Sequence, residues 1–511
     1  MVHSGESDRE REDFRQQCLS LTGSLKHNAP PLPASDPVLN IMSTAPPQRF
    51  DLTSGPIGKT LLAFTLPMLG SNILQSLNAS VNSIWIGRYL GEEALTAAAN
   101  ANIVLFFLIG TVFGIAIATG ILVGHAVGAK DLNHAKRVVG TSATFFAALS
   151  LLVALLGFLL APHVLVWMQT PPDALPYAIS YLRIIFIAIP PMFFYQYVMM
   201  ALRGGGDSKT PFIFMIISVF LDIALNPLFI FGWGPVPALG IAGSATATLI
   251  AQGGTLIGMI AYLYRKKHFL VLHSNELSYL RPDAQILRTL LFRGVPMGLQ
   301  MMVVSSSMLA LITLINRYGS QTTAAFGAAM QIFTYIQMPA FAIGSAVSAM
   351  AAQNIGAGRW DRVNKITRSG ILLNTYMTGA GVLLLYLLDR YVLGLFLPDD
   401  PQTIAIAVHI NAVVLWGFLL FGITFVLLGI SRATGAVYGP LVILFLSLWM
   451  ARLPFAYFLD PLMHDEAIWW SFPVGNIVSL VLAIFYYRAG SWKKVHMAGV
   501  SPKEPMVEPV G

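Results

Sequence analysis

Residues 218–231 read SVFLDIALNPLFIF. The run belongs to an apolar window over 210–231, long enough to cross a bilayer as a helix. Yet Asp222 sits near its middle, and Asn226 follows four residues on. A carboxylate at the bilayer centre costs about 2.5–3.5 kcal/mol on insertion scales, so an intramembrane acid points to function by default. The plainer alternative is an acid bonded to an arginine, a serine or backbone that only fixes packing. Asp222 and Asn226 stand at i and i+4 and share one helix face.

The rest of the chain is of the same kind. Of 511 residues 56% are hydrophobic and 11% charged, with a mean hydropathy of +0.68, where soluble chains carry about 25% charge. This composition describes a membrane protein, and lipid requires each spanning segment to satisfy its own backbone, hence helices. Apolar windows lie at 57–84, 94–122, 138–161, 177–201, 210–231, 240–264, 288–315, 322–350, 368–388, 402–428, 437–459 and 467–487. The spacing predicts an all-α integral membrane protein of twelve helices. Residues 1–51, which open MVHSGESDREREDFRQQ, are expected to form a disordered cytoplasmic tail with no signal peptide. Met42, in MSTAPPQRF, is a second candidate start.

The loops after helices 2, 4, 6, 8 and 10 carry 16 lysines and arginines, whereas the opposite loops hold Arg88, Arg317 and Arg390. By the positive-inside rule both termini are cytoplasmic. The net charge of +7 is thereby explained, and a nucleic-acid partner has no support. The halves also repeat. TLPMLG around Pro67 answers GVPMGL around Pro296, GHAVGAKDLNHAKRV from Gly124 answers AQNIGAGRWDRVNKI from Ala352, and RGGGDSKTP from Arg203 answers RATGAVYGP from Arg432. The three shifts are 229, 228 and 229 residues. Six spans per half give the repeats one orientation, related by a pseudo-two-fold along the membrane normal with a cavity between them. The expected units are an N-terminal bundle over 52–268, a cytoplasmic linker over 269–287, a C-terminal bundle over 288–490 and a cytoplasmic tail over 491–511.

These same stretches resemble the multidrug and toxic compound extrusion (MATE) transporters of bacterial type over about residues 55–490. The resemblance rests on LPMLGSNILQSLNASVNSIWIGRYLGEEALTAAA, GHAVGAKDLNHAKRV, LRGGGDSKTP, LNPLFIFG, GIAGSATATLIAQ and AAQNIGAGR, in the family's order. It implies two six-helix bundles, a cavity opening to either side, and export of mostly cationic amphipathic compounds against inward H+ or Na+. Most bacterial members carry aspartate in a VD pair on the first helix; here the pair is VN, with Asn82. The fifth-helix order is also reversed, with Asp222 before Asn226.

Asp222 is the one acid deep in a predicted span; the others fall in tails, loops or span ends. On the first helix Ser71, Gln75, Asn78 and Asn82 form a polar stripe at helical spacing, expected to face it. For the stripe alone, interhelical bonding and ligand binding both remain open. Asp222, Asn226, Asn82, Thr248 and Asn78 are therefore the candidate coupling site, able to take H+, or Na+ in an oxygen shell. Methionines and aromatics in PPMFFYQYVMMALRG and PMGLQMMVVSSSM suit a refitting ligand surface, although methionine also fills irregular cores. Gln75, Tyr195, Met199, Gln300 and Gln331 are candidate substrate contacts. Pro227 marks either a hinge or an ordinary helix end before GWGPVPALG.

Other chemistries fall away. Cys18 is the single cysteine, so no disulfide or zinc cluster can form within the chain. GGGDSK lacks the glycine before Lys209 that a phosphate loop needs. His409 reads as a bonded core histidine, and His125 with Asp131 as a solvated edge. Glycines at 110, 114, 120 and 124 permit close helix approach. The chain is expected to be a monomeric antiporter, not an enzyme, of a cell inner or plasma membrane. Its expected partners are small cationic molecules and membrane lipid, with no cofactor beyond the coupling H+ or Na+. A lipid-linked saccharide flippase of the same superfamily is the first alternative, and a membrane-embedded transferase the second.

Overall fold

The computed structural model describes residues 51–232, 237–397, 400–495 and 497. The expected N-terminal tail with Cys18 and Met42, most of the C-terminal tail and the centre of the GWGPVPALG turn lie outside these residues. The first helical rod, Ile57–Gly128, breaks at Gly91, whose φ of 85° suits glycine. It gives α1 (Ile57–Gly87) and α2 (residues 92–128). There follow α3 (Leu132–Trp167), α4 (Leu175–Gly204), α5 (Lys209–Phe231), α6 (Ile241–Arg265), α7 (Ala284–Ile315), α8 (Ser320–Gly356) and α9 (Trp360–Gly394). α10 is bent by 45° between Pro401–Val414 and Gly417–Ala433. α11 (Tyr438–Met463) holds a π turn over Leu446–Arg452, and α12 (Asp465–Ala489) completes the expected twelve.

Lipid explains the outer surface. On α3, Leu151, Leu152, Leu155 and Leu159 are each more than half exposed. In water such a face would be costly, whereas hydrocarbon accepts it. Helix-breaking prolines recur inside the spans, at Pro67, Pro162, Pro227, Pro296, Pro339 and Pro473. The bend in α10 has no proline. There Asn476 Nδ2 donates to the Gly417 carbonyl at 3.1 Å and the Tyr386 hydroxyl to that of Ala412 at 3.2 Å, serving backbone oxygens near the break.

The hydrogen bonds that join the two halves gather at the end carrying the basic loops. Gln353 Nε2 donates to the Gly204 carbonyl at 2.9 Å, and Gln353 Oε1 accepts from the Leu52 backbone at 3.0 Å. Arg359 reaches the Thr53 carbonyl at 2.7 Å, and Arg362 those of Ser54 and Gly55. His125 Nε2 meets the Ala433 carbonyl at 2.6 Å and is buried, so the expected solvated edge is instead an interface. Here α2 and α8 cross so closely that a Cβ on Gly128 would lie 1.9 Å from Gln353 O, and one on Gly356 2.0 Å from His125 O. These two contacts are the same contact repeated by the pseudo-symmetry. Gly114 packs likewise on the Gly298 backbone of α7.

Two other expectations change. Residues 491–494, expected to open a tail, form a 3-10 turn whose Trp492 is fully buried and stacked on Tyr487. His409 is exposed and hydrogen-bonded to Glu466 of α12, not a core residue. The linker carries a 3-10 segment, Ser274–Leu280, tied to α3 by Lys136 Nζ on both Glu276 oxygens at 2.6 and 2.8 Å.

Two outcomes are expected. Gly356→Leu would need a backbone shift that costs the closed end about 1–3 kcal/mol. Spin labels at Leu132→Cys and Asp361→Cys would then read a longer mean separation than in the parent; an unchanged distance distribution refutes the crossing as the closing contact. The second concerns the linker. The His273 backbone N–H and Lys136 hold the Glu276 carboxyl at about 2, against an ordinary 4.5. A carboxylate lowered on folding contributes fully above its unfolded value and loses that contribution as pH falls through its folded one. Protease nicking of 265–287 should therefore stay slow at neutral pH and rise between pH 4.5 and 2, with Lys136→Gln raising it at neutral pH.

Candidate functional site

α5 enters the bundle behind a cap in which Asp207 Oδ1 accepts the backbone N–H groups of Lys209 and Thr210, each at 3.0 Å. Four turns on, it buries Asp222 at 2% and Asn226 at 0% exposure. Asn78 and Asn82 come from α1 at the same i, i+4 spacing, and Thr248 from α6. Asp222 Oδ2 accepts from Asn78 Nδ2 at 2.9 Å and from Asn82 Nδ2 at 2.8 Å, while Oδ1 accepts from the Thr248 hydroxyl at 3.1 Å. Asn226 Nδ2 donates to Asn82 Oδ1 at 3.0 Å and to the Asp222 carbonyl at 2.8 Å. All five candidate coupling residues thus form one connected cluster.

The cluster's polarity is informative. Two amide N–H groups converge on Oδ2, while Oδ1 faces the Thr248 hydroxyl, a group that can donate to a carboxylate or accept from a carboxyl. Among the described residues Asp222 makes no ion pair with lysine, arginine or histidine. The reading of Asp222 as an acid pinned by an arginine therefore does not apply. Two amide oxygens of the same cluster, Asn78 Oδ1 and Asn226 Oδ1, are buried without a partner. Pro227 brings no N–H to the Ile223 carbonyl, leaving a further backbone oxygen short of its helical donor one residue beyond the acid. Oxygen ligands are thus in excess around the acid.

The rest of the stripe and the expected substrate contacts are more scattered. Ser71 bonds back to the Pro67 carbonyl at 2.9 Å, and Gln75 is exposed. Gln300 is buried and donates to the Val437 carbonyl at 3.2 Å, a bond between α7 and the start of α11. Tyr195 and Met199 are sealed in the packing of α4, and the Tyr195 hydroxyl has no partner. Gln331 is exposed on α8.

Two residues near buried acids escape sequence reasoning. Tyr181 of α4 is buried within electrostatic reach of Asp222; a tyrosine in an aromatic-rich span carries no distinguishing signal. Asp389 was expected at a span end, but α9 runs on to Gly394 and buries it at 7% exposure. Asn411 Nδ2 donates to Asp389 Oδ1 at 2.6 Å. Only continuing the helical period past the hydropathy edge would have shown it.

Comparison with known proteins agrees with this architecture. The MatE family model matches the chain twice, over residues 67–228 and 296–458, in register with the internal repeat. The chain is 38% identical over 440 residues to the probable multidrug resistance protein YoeA of Bacillus subtilis, covering 86% of this chain and 95% of that protein. It is 22% identical to the multidrug export protein MepA of Staphylococcus aureus, with 86% and 95% covered. An outward-facing multidrug resistance MATE family transporter of the MOP superfamily superposes with a TM-score of 0.80 at 20% identity, covering 87% of this chain and 98% of that one. A MOP superfamily transporter from Pyrococcus furiosus gives 0.79 at 21%, with 87% and 98% covered. Sequence match, repeat register and fold agree: the chain belongs to the MATE family of multidrug efflux transporters.

Proposed function

We propose that the protein exports small amphipathic, mostly cationic molecules in exchange for H+ or Na+, by alternating access, from a bacterial-type inner or plasma membrane with both termini cytoplasmic. The observation that carries this reading is the Asp222 cluster: a sealed carboxylate with no ion pair to it among the described residues and two unused amide oxygens around it. A charge so placed favours any cation that neutralises it. The names of the multidrug relatives support the cargo class, and the asymmetry of basic loops supports the sidedness.

The cluster suggests how each ion is held. A protonated Asp222 must donate, and the Thr248 hydroxyl beside Oδ1 can turn from donor to acceptor. Asn82 is fixed, because its Oδ1 already accepts from Asn226. Asn78 is not, since its Oδ1 is unpaired. Proton uptake on Oδ1 therefore needs only the Thr248 hydroxyl to rotate, and a turn of the Asn78 amide would offer Oδ2 a second acceptor. For Na+ the same flip joins Asn78 Oδ1 to the Asp222 carboxylate and the Thr248 hydroxyl, with Asn226 Oδ1 nearby. A cationic cargo favours the ionised form, so cargo and ion exclude one another, and the linkage is reciprocal.

The energetics bound the stoichiometry. A tenfold ion gradient supplies about 1.4 kcal/mol. One-for-one exchange of a monovalent cargo moves no net charge, so it yields about tenfold accumulation at best. A second ion adds its gradient and about 2.3 kcal/mol per 100 mV. The closure at the basic end, with interhalf bonds gathered there, represents one of the two states such a cycle requires.

Efflux of a fluorescent cation from inverted vesicles, driven in turn by a pH jump and a sodium jump, tests the reading. Asp222→Asn should cut export at least about tenfold under whichever gradient drives the wild type, the loss of one charge-assisted interaction or more; normal export by the variant sinks it. Thermal unfolding in detergent tests the wiring. Asn82→Ala removes a donor from Asp222 and an acceptor from Asn226, so it should cost about 1 kcal/mol more than Asn78→Ala, which removes one bond. Equal losses would mean that the Asn82–Asn226 bond contributes nothing.

A further inference from the structure

The pseudo-symmetry that carries α1 onto α7 and α5 onto α11 also carries the Asp222 cluster into the C-terminal bundle. At an offset of 229, Asp222 falls on Ala451, beside Arg452, and Asn78 falls on Ser307. Arg452 closes the π turn of α11. Such turns shift the register of the helix face and recur at functional sites. The acid of one bundle is therefore answered by a base in the other, at nearly the same place in the fold.

Arg452 is only 9% exposed. A guanidinium keeps its charge in any such setting, yet no carboxylate lies within ion-pair distance of it among the described residues. Its Cζ lies 3.6 Å from the centroid of the Phe472 ring of α12, and Nη2 reaches only the Met308 sulfur of α7, at 3.9 Å. Nε has no partner. A ring face and a thioether leave the charge largely uncompensated.

Two polar atoms on the flanking helices, an indole N–H and a hydroxyl that can donate, are also buried without partners. Ser307 Oγ, one residue before Met308, is fully buried and unpaired. Its own i−4 carbonyl, Val303 O, accepts from Trp449 Nε1 at 3.3 Å. Trp469 Nε1, one turn before Phe472, is likewise buried and unpaired. Around Asp222 the surplus is of oxygens; around Arg452 it is of N–H and O–H groups.

We propose that Arg452 is the centre of an anion site in the C-terminal bundle, taking a monovalent anionic group: the carboxylate of an amphoteric cargo, or a halide that moves with a cationic one. The cargo arm rests on the export reading above; the anion site itself does not. Cation and anion sites in separate bundles would let the transporter hold the two ends of a zwitterion, and part them when the bundles rock.

Binding to the purified full-length protein decides the site independently of transport. Acetate and chloride, titrated separately at constant ionic strength with a bulky organic sulfonate as balance, should each raise the unfolding temperature of the wild type saturably, and Arg452→Gln should abolish that response. Arg452→Lys, which keeps the charge, should retain part of it and serves if the glutamine variant fails to fold. Equal responses in wild type and both variants overturn the proposal. The source is read in proteoliposomes with a xanthene dye bearing a free carboxylate and with its methyl ester. A fall of about tenfold in the ratio of acid to ester export in Arg452→Gln, the worth of one charge-assisted bond, assigns the site to the cargo. Wild-type export that needs chloride, with that need lost in the variant, assigns it to the halide. If neither ratio nor chloride dependence moves, neither cargo nor halide uses the site in transport and the role proposed for it fails, while the titration alone decides whether the site binds an anion. A wild type that moves neither dye refutes export instead, and the titration still stands.

Discussion

A charge withdrawn from water must be compensated, and how Asp222 is compensated governs the rest of the molecule. Three neutral donors from two neighbouring helices hold it, and among the described residues no cationic side chain pairs with it. Neutral donors orient a carboxylate without cancelling its charge. A lysine or arginine in the same place would have produced a permanent pair, stable and inert. Amides and a hydroxyl leave the field uncancelled, and three helices converge here with polar side chains on otherwise apolar rods to supply them.

The two halves show what a duplicated bundle keeps and what it changes. At the basic end the repeat is almost unmodified: Gly128 on Gln353 and Gly356 on His125 are one contact seen twice. Close helix crossing tolerates no side chain on either strand of the repeat, so both copies are held to glycine. In the middle of the bundles the constraint is chemical, and the copies diverge to Asp222 on one side and Arg452 on the other. The π turn in α11 has no counterpart in α5, which runs as a regular α-helix from Lys209 to Phe231. Divergence therefore involves the backbone as well as the side chains.

Much of this was legible in the sequence because lipid is a strict solvent. It forces apolar windows of fixed length, so the twelve spans and the 229-residue repeat could be read directly, and it makes a lone buried acid conspicuous. The i, i+4 pairs Asn78 with Asn82 and Asp222 with Asn226 announced shared faces, and those faces do meet. What stayed hidden depends on tertiary partners. His125 looked solvated because the half that buries it lies more than 300 residues away at Ala433. Asp389 looked terminal because hydropathy falls before the helix does. Gln300 looked free for a ligand, whereas its amide serves the Val437 carbonyl. The bend in α10 has no proline to signal it, and the π turn is a property of backbone register that no residue pattern announced.

The placement of the acid cluster relative to the closed end has a mechanical consequence. Asn78 and Asn82 lie on α1, and α1 continues into α2 through Gly91, the one residue of the 72-residue rod outside helical geometry. The far end of α2 carries Gly124 and Gly128, the glycines of the crossing with α8. Any change in how Asn78 and Asn82 hold Asp222 alters how α1 is tied to α5, and α1 and the α2–α8 crossing share one continuous rod whose single non-helical residue is Gly91. Because α2 packs against α8 backbone to backbone, it cannot slide by fractions of an ångström; it either sits in the glycine notch or leaves it. Under the proposed exchange, an ion at Asp222 would act on an element that is either seated in this notch or out of it, the physical requirement for a local charge change to select between two states.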